Sequence, residues 1–295
     1  MDEAQVSDLL ERISRCSRPM DPLPTDMEAR IHPLKGIRAV LFDVYGTLVV
    51  SASGDIGSVL HAAPPADAFR DALRAAGFDA PPGAVARGPA LLVERIQEEH
   101  ARRRAAGVEF PEIEIRETWD AVLSELRRDG SLSGSCDRAT IERLAVEFEC
   151  RVNPTWPMPG AAETLSALEK RGFVTGIVSN AQFYSPLIFR THLGRPPPEP
   201  AVWSFEQREA KPSGRLFRLA LDALAGSHGI RPGEVLYVGN DMTKDMTPSA
   251  LLGFRTALFA GDRRSYRPAA WKPPAIPPDV VITDLSQLVT DLLAP

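Results

Sequence analysis

Residues 37–50 of this 295-residue chain read IRAVLFDVYGTLVV. Apolar residues run almost without interruption up to Phe42 and stop at Asp43. Such a run is typical of a strand that is buried on both faces of a parallel sheet. Because open parallel sheets bind ligands at the carboxyl ends of their strands, Asp43 is the first candidate functional residue.

The segment from about residue 56 to 158 has the apolar spacing of amphipathic helices. In IRETWDAVLSELRR, for example, Ile115, Trp119, Val122 and Leu126 fall on one helical face. No strand-like alternation interrupts these helices. The sequence therefore predicts an all-helical module at residues 56–155, with Trp119 in its core.

After residue 158 strand patterns alternate with helix patterns. The apolar stretches FVTGIVSN, EVLYVGND, RTALFAG and DVVIT are separated by helical stretches such as GRLFRLALDALAG. This alternation predicts a parallel sheet with right-handed crossovers. One strand precedes the helical module and the others follow it, so the module is an insertion. We therefore predict an α/β protein with a Rossmann-like parallel-sheet core (37–55 and 156–295), an inserted all-helical cap domain (56–155) and an N-terminal extension (1–36).

Composition and charge exclude several classes of protein. The net charge of −5 argues against a nucleic-acid-binding or anionic-membrane-binding protein, which would carry a basic face. No run of 18 apolar residues predicts a membrane span, and the acidic N-terminus lacks a signal-peptide pattern. Three cysteines without a CxxC pair indicate a reduced, cytoplasmic protein without a zinc site.

Polar residues follow the predicted strands at one edge of the sheet. Besides Asp43 they are Ser179, Asn180, Asn240 and Asp241, with Asp245 four residues further along and Lys211 in a loop. A carboxylate at a strand end can act as a nucleophile when a cation reduces its repulsion of an anionic substrate. Clustered carboxylates need a cation, and ligands that are all oxygen atoms select a hard ion such as Mg²⁺.

These residues stand in four short motifs that resemble those of the haloacid dehalogenase superfamily of hydrolases. FDVYGTLV is similar to the first motif, VSN to the second, AKP to the third and GNDMTKD to the fourth. The helical insertion lies where that family carries a C1-type cap. The resemblance implies that Asp43 is the nucleophile and that a small, anionic molecule is the substrate. It implies catalytic or substrate-binding roles for Tyr45, Thr47, Ser179, Asn180 and Lys211, and a metal site formed by Asp43, the Tyr45 carbonyl group, Asp241 and Asp245.

Two positions depart from the phosphatases of that superfamily. Tyr45 stands where they carry an Asp that acts as general acid and base, and DxYGT is instead the pattern of its 2-haloacid dehalogenases. The fourth motif keeps two acidic residues in phosphatase spacing, but Asn240 is inserted before Asp241. Either Asn240 or Asp241 can therefore occupy the metal-ligand position. We favour Asp241, because a carboxylate neutralises Mg²⁺ and an amide does not.

The leading hypothesis is a Mg²⁺-dependent hydrolase of a small phosphorylated metabolite that acts through a covalent aspartyl intermediate. The alternative hypotheses are a metal-independent 2-haloacid dehalogenase and a catalytically weak member that binds a ligand or a partner protein. Residues 1–36 are compatible both with packing on the core and with dimerisation, and the sequence makes no prediction of the oligomeric state.

Overall fold

The computed structural model describes residues 1–53, 65–134, 136–268 and 276–293. Its strands are β1 (Ala39–Phe42), β2 (Val49–Ser51), β3 (Thr155–Pro157), β4 (Val174–Ser179), β5 (Ala201–Trp203), β6 (Val235–Gly239), β7 (Arg255–Phe259) and β8 (Val280–Ile282). Six of them form one sheet in the order β5-β4-β1-β6-β7-β8, and all neighbouring pairs are parallel. The predicted α/β fold is confirmed.

The central strand β1 determines where a ligand can bind. Phe42, its last residue, lies beside Ile177 of β4 and Val238 of β6, so the carboxyl ends of these three strands are level. The chain continues from β1 to β4 and β5 on one side and then to β6, β7 and β8 on the other. Such a reversal of strand order opens a crevice at the carboxyl edge.

Helices cover the sheet and fill the insertion. They are α1 (Glu3–Cys16), α2 (Ala66–Ala75), α3 (Pro82–Ala105), α4 (Ile115–Arg128), α5 (Arg138–Val152), α6 (Ala161–Lys170), α7 (Ser185–Leu193), α8 (Ser204–Gln207), α9 (Gly214–His228) and α10 (Thr247–Leu251), with shorter helical turns at Met242–Met246 and Leu288–Leu292. In the described ranges, none of these helices has the length and apolar character that crossing a bilayer requires.

The four helices α2 to α5 lie between β2 and β3, which pair with each other in antiparallel orientation. Trp119 on α4 is fully buried, stacks on Phe69 with 5.6 Å between ring centroids, and meets the edge of Phe148 at 5.0 Å. The prediction that Trp119 is a core residue is therefore confirmed. The proposed boundary at 55/56 falls in residues 54–64, outside the described part of the chain.

Three strands of the fold were not predicted from the sequence. The strands β2, β3 and β5 each have three residues, too few to show a period of two. The prolines of RPPPEP precede β5 and read as a loop.

The N-terminal helix α1 packs on α5 and α7 of the same chain. Leu9 and Ile13 point into this contact and are buried. Beside them, the carboxylate of Glu147 on α5 has no exposed side-chain surface and is surrounded by three guanidinium groups, those of Arg12 (2.8 Å), Arg15 (2.9 Å) and Arg151 (2.5 Å). Of the two alternatives for residues 1–36, packing within the chain is the one that α1 shows.

Candidate active site

The carboxyl ends of β1 and β4 bring Asp43 and Ser179 into contact. Ser179 Oγ donates a hydrogen bond to Asp43 Oδ1 at 2.8 Å, and Lys211 Nζ donates to the same oxygen at 2.8 Å. No hydrogen bond from the described residues reaches Asp43 Oδ2. One oxygen of the carboxylate is thus held by two donors, which leaves the other oriented and available for attack.

Lys211 forms a buried ion-pair network with two carboxylates. Its Nζ lies 2.5 Å from Asp245 Oδ1 and 3.2 Å from the hydroxyl group of Tyr237, which itself donates to the carbonyl oxygen of Val178 at 2.8 Å. The side chains of Lys211, Asp43 and Asp245 are only 2%, 9% and 1% exposed. Water screens these charges little, so the ammonium group is the main compensation for both carboxylates.

Burial controls the ionisation of the network. It raises the pKa of Asp43 to about 6, although the charge of Lys211 acts in the opposite direction. The pKa of Lys211 is raised above its ordinary value, because the attraction of Asp245 and Asp43 outweighs the effect of burial. The lysine therefore stays charged and keeps Asp43 ionised near neutral pH.

The loop after β6 is organised around Asp245. Its Oδ2 accepts hydrogen bonds from the backbone N–H groups of Asn240 (3.1 Å) and Asp241 (3.0 Å). Gly239 is required here, because a Cβ at this position would lie 2.5 Å from Asp245 Oδ2. The side chain of Asp241 caps the following helical turn, with Oδ1 accepting from the N–H groups of Thr243 and Lys244.

Asn240 has a different environment from Asp241. Its carboxamide accepts from Thr47 Oγ1 at 3.2 Å and donates to the carbonyl oxygen of Ser265 at 2.7 Å. Gly46, with φ of 81°, makes room for this contact, since a Cβ there would lie 2.3 Å from the Cβ of Ser265. Thr47 is fully buried and links the first motif to the fourth.

Tyr45 is placed beside Asp43 but its hydroxyl group is directed to α7. The hydroxyl group lies 2.8 Å from Ser185 Oγ, and the residue is 6% exposed. Burial, with a smaller contribution from the charge of Glu149, raises the pKa of Tyr45 well above 10. A phenol in this state is a poor base near neutral pH.

A small cavity of about 40 Å³ joins these groups. Its lining residues are Asp43, Tyr45, Asn180, Lys211, Asn240, Asp241, Lys244, Asp245, Ser265 and Arg267. All four residues of the predicted metal site are among them. Thr47 and Ser179 are not, because both side chains are fully buried behind the wall.

The donors of this cavity fit Mg²⁺ in their chemistry. Within the described ranges, no hydrogen bond reaches Asp43 Oδ2 or Asp241 Oδ2, whereas both oxygens of Asp245 are occupied. In the same ranges no three Asp, Glu, His or Cys side chains are already grouped as a metal site. Magnesium commonly uses one or two carboxylates and completes its shell with water and substrate phosphate.

Asn180 supports the position of Lys211. Its side-chain oxygen accepts from the backbone N–H of Lys211 at 2.7 Å, and its Nδ2 donates to the Lys211 carbonyl oxygen at 3.3 Å. Sequence reasoning missed Tyr237, whose hydroxyl group joins Lys211 to Asp245. A tyrosine inside the otherwise apolar strand EVLYVGND was the available signal.

Comparison with known proteins identifies the family of this chain. Residues 37–253, well over half of the chain, match the family model of haloacid dehalogenase-like hydrolases. The chain belongs to this family. It is 29% identical over 137 residues to a glyceraldehyde 3-phosphate phosphatase of Pyrococcus furiosus. That alignment covers 45% of this hydrolase and 52% of the phosphatase, so the chain spans about half the length of this curated relative.

Solved structures of the family share the fold of this hydrolase. A defluorinating L-2-haloacid dehalogenase is 20% identical with a TM-score of 0.51, over 88% of this chain and 97% of the other. A phosphatase of the family from Thermococcus onnurineus is 16% identical with a TM-score of 0.45, over 85% and 96%. At these identities the likeness concerns the fold alone.

Proposed function

We propose that this hydrolase is a Mg²⁺-dependent phosphatase that transfers a phosphoryl group from a small phosphate monoester to Asp43 and then to water. The observation that carries the proposal is the second free carboxylate oxygen. Asp241 lines the same small cavity as Asp43, and no hydrogen bond from the described residues reaches the Oδ2 of either. Capping of the helical turn by Oδ1 explains one oxygen of Asp241, whereas a metal-independent haloacid dehalogenase has no evident use for the second.

In the proposed reaction Asp43 Oδ2 attacks phosphorus, and the bond between phosphorus and the ester oxygen breaks. The covalent product is an aspartyl phosphate on Asp43, which water hydrolyses to inorganic phosphate with return of the carboxylate. Ser179 and Lys211 hold Oδ1 during both steps, and the charge of Lys211 reduces repulsion between the nucleophile and the anionic substrate.

Mg²⁺ would be held by Asp43, Asp241 and the Tyr45 carbonyl group, and it would supply charge stabilisation at the phosphoryl oxygens. The role of Asp245 is then to orient Lys211 and the loop after β6, because its two oxygens are already bound. Asn240 is bound to Thr47 and Ser265, which supports Asp241 as the metal ligand.

The protonation of the leaving group is the weak step of this site. Tyr45 stands where an acid would be, and its hydroxyl group is engaged with Ser185. Loss of general acid catalysis typically costs about 10²–10⁴-fold in rate. We therefore propose substrates whose leaving group departs with little protonation. We place the reaction in the cytoplasm, since the three cysteines are free thiols.

The test compares an aryl phosphate with 2-chloropropionate, each with Mg²⁺ and with EDTA, and with Asp43→Asn as the blank. Phosphate release that disappears with EDTA and in Asp43→Asn is the expected result. The same measurement tests the second candidate, a haloacid dehalogenase, which the phenol of Tyr45 favours because halide leaves without a proton. Chloride release that survives EDTA would replace our proposal with that one.

A Tyr45→Asp variant tests the missing acid directly. It should accelerate the hydrolysis of an alkyl phosphate, whose leaving group needs a proton, far more than that of an aryl phosphate. An equal effect on both substrates would show that proton supply does not limit this site.

A further inference from the structure

A second, larger cavity lies between the inserted helices and the carboxyl edge of the sheet. Its volume is about 260 Å³. Apolar side chains form the larger part of its surface, among them Leu92 and Ile96 of α3, Ile115 and Trp119 of α4, and Ala145 and Phe148 of α5. A polar ligand would lose its hydration against such an apolar wall, so it binds there only if specific hydrogen-bond partners replace the lost water.

This cavity is continuous with the active-site cavity. Asn180, Lys211 and Lys244 line both. The Lys211 ammonium group is 2.8 Å from Asp43 Oδ1, so the shared boundary lies at the proposed nucleophile. The remaining part of a molecule that reacts at Asp43 can therefore extend out of the 40 Å³ site and into this largely apolar space.

Most of the polar groups in the wall are already engaged within the protein, although the buried His100 Nε2 has no hydrogen-bond partner among the described residues. Glu149 is buried and accepts from the Tyr184 hydroxyl group at 2.9 Å and from Asn153 Nδ2 at 3.0 Å, so both of its oxygens are engaged. Burial raises the pKa of Glu149, which favours its uncharged carboxyl form. Burial and the charge of Arg104 lower the pKa of His100, which favours the neutral imidazole.

We propose that this cavity binds the apolar leaving group of a phosphate monoester, of the size of one aromatic ring with a short extension or of a six-carbon alkyl chain. The inference rests on the proposed phosphatase function and adds the class of substrate to it. A dry apolar cavity of about 150 Å³ accommodates benzene, so 260 Å³ leaves room for several further carbon atoms. A triose or sugar phosphate would lose hydration of its hydroxyl groups in this space without replacement.

Alkylphosphonates test the inference without turnover, because their carbon–phosphorus bond is not hydrolysed. Ethyl-, butyl- and hexylphosphonate are titrated calorimetrically into the full-length Asp43→Asn protein with Mg²⁺. Each buried methylene group should tighten binding about fourfold, so hexylphosphonate should bind roughly 200-fold more tightly than ethylphosphonate. Glycerol 3-phosphate should show no such gain over ethylphosphonate.

A filling variant locates the effect in this cavity. Ala145→Leu adds three carbon atoms to the side chain in the cavity wall. It should weaken the binding of hexylphosphonate by about tenfold and that of ethylphosphonate much less. Ala121→Leu, on the exposed face of α4, is the matched control and should leave the whole series unchanged. Thermal unfolding of both variants verifies that they fold.

Three results would overturn the inference. Affinity that does not change with chain length, while wild-type aryl phosphate hydrolysis remains Mg²⁺-dependent, would refute the apolar cavity and leave the phosphatase proposal standing. If affinity increases with alkyl chain length by the same factor in Ala145→Leu, the alkyl chain binds elsewhere. Absence of both phosphonate binding and phosphate release would reject the phosphatase function and the inference with it.

Discussion

Replacing Lys211 by Met removes the ammonium group that pairs with both Asp43 and Asp245. The lysine lies 2.8 Å from one carboxylate and 2.5 Å from the other, and all three side chains are nearly inaccessible to water. Breaking a buried ion pair by removing one partner costs about 3–5 kcal/mol, since the remaining charge is left without compensation. The free energy of unfolding of Lys211→Met should fall by that amount at pH 8.

The pH dependence of this loss is the sharper part of the prediction. The pKa of Asp43 is already raised to about 6 with Lys211 present, and without the ammonium group it must rise further. A carboxyl group whose pKa is higher in the folded than in the unfolded state loses stabilisation as the pH increases through the folded value. The free energy of unfolding of Lys211→Met should therefore be closest to that of the wild type at pH 5 and furthest below it at pH 8.

Catalysis should fail in the same variant. A loss of about 3–5 kcal/mol in the stabilisation of the ionised nucleophile corresponds to roughly 10²–10⁴-fold in kcat/KM near neutral pH. Urea unfolding in EDTA at pH 5 and pH 8, with aryl phosphate hydrolysis measured separately, checks both parts. Lys170→Met, at an exposed position at the end of α6, is the matched control. A stability loss that is the same at both pH values would refute the reasoning.

Three further predictions concern residues outside this ion pair. Tyr45→Phe should leave aryl phosphate kcat within about twofold and cost about 1 kcal/mol of unfolding free energy, because the lost hydroxyl group bonds, within the described part of the chain, to Ser185 alone; a tenfold fall in kcat would assign the phenol a catalytic role. Ile13→Ala should cost about 2–5 kcal/mol in urea unfolding, since the side chain is fully buried where α1 packs on the rest of the chain; an unchanged midpoint would contradict that packing. Alkylation of Cys16 by iodoacetamide should titrate near pH 7, because a hydrogen bond from Cys150 lowers its pKa to about 7; in Cys150→Ser the midpoint should move, and a wild-type midpoint above 8.5 would exclude this thiol pair.

The fold followed from patterns that are local in the chain. The apolar run that ends at Asp43 marked the central strand, and the strand–helix alternation after residue 158 predicted the parallel sheet. The three-residue strands were missed because pairing with a neighbour, rather than their own periodicity, makes them strands. The ends of strands are readable because the apolar run that fills both faces of the sheet stops where the chain leaves it.

The sequence predicted most of the residues that form the site, but not which atoms those residues contact. The sequence analysis named Asp43, Lys211 and Asp245 and predicted Asp245 as a metal ligand, but it did not predict that the two oxygens of Asp245 accept from Lys211 and two backbone N–H groups. It left Asn240 and Asp241 as alternatives, and the contact of Asn240 with Thr47 distinguishes their environments. Neighbouring residues of a loop differ in their contacts because of the path of the backbone, and the spacing of apolar residues does not predict that path.

By itself, then, the sequence determined the α/β architecture, the inserted helices and the set of polar residues at one sheet edge, because each depends on the order of apolar and polar residues along the chain. The tertiary structure alone decided which oxygen of Asp43 is free, that the Tyr45 hydroxyl group is bound to Ser185, and that an apolar cavity adjoins the site. These properties arise from contacts such as that of Asp43 with Lys211, 168 residues apart, and from the burial that raises the energy of an uncompensated charge.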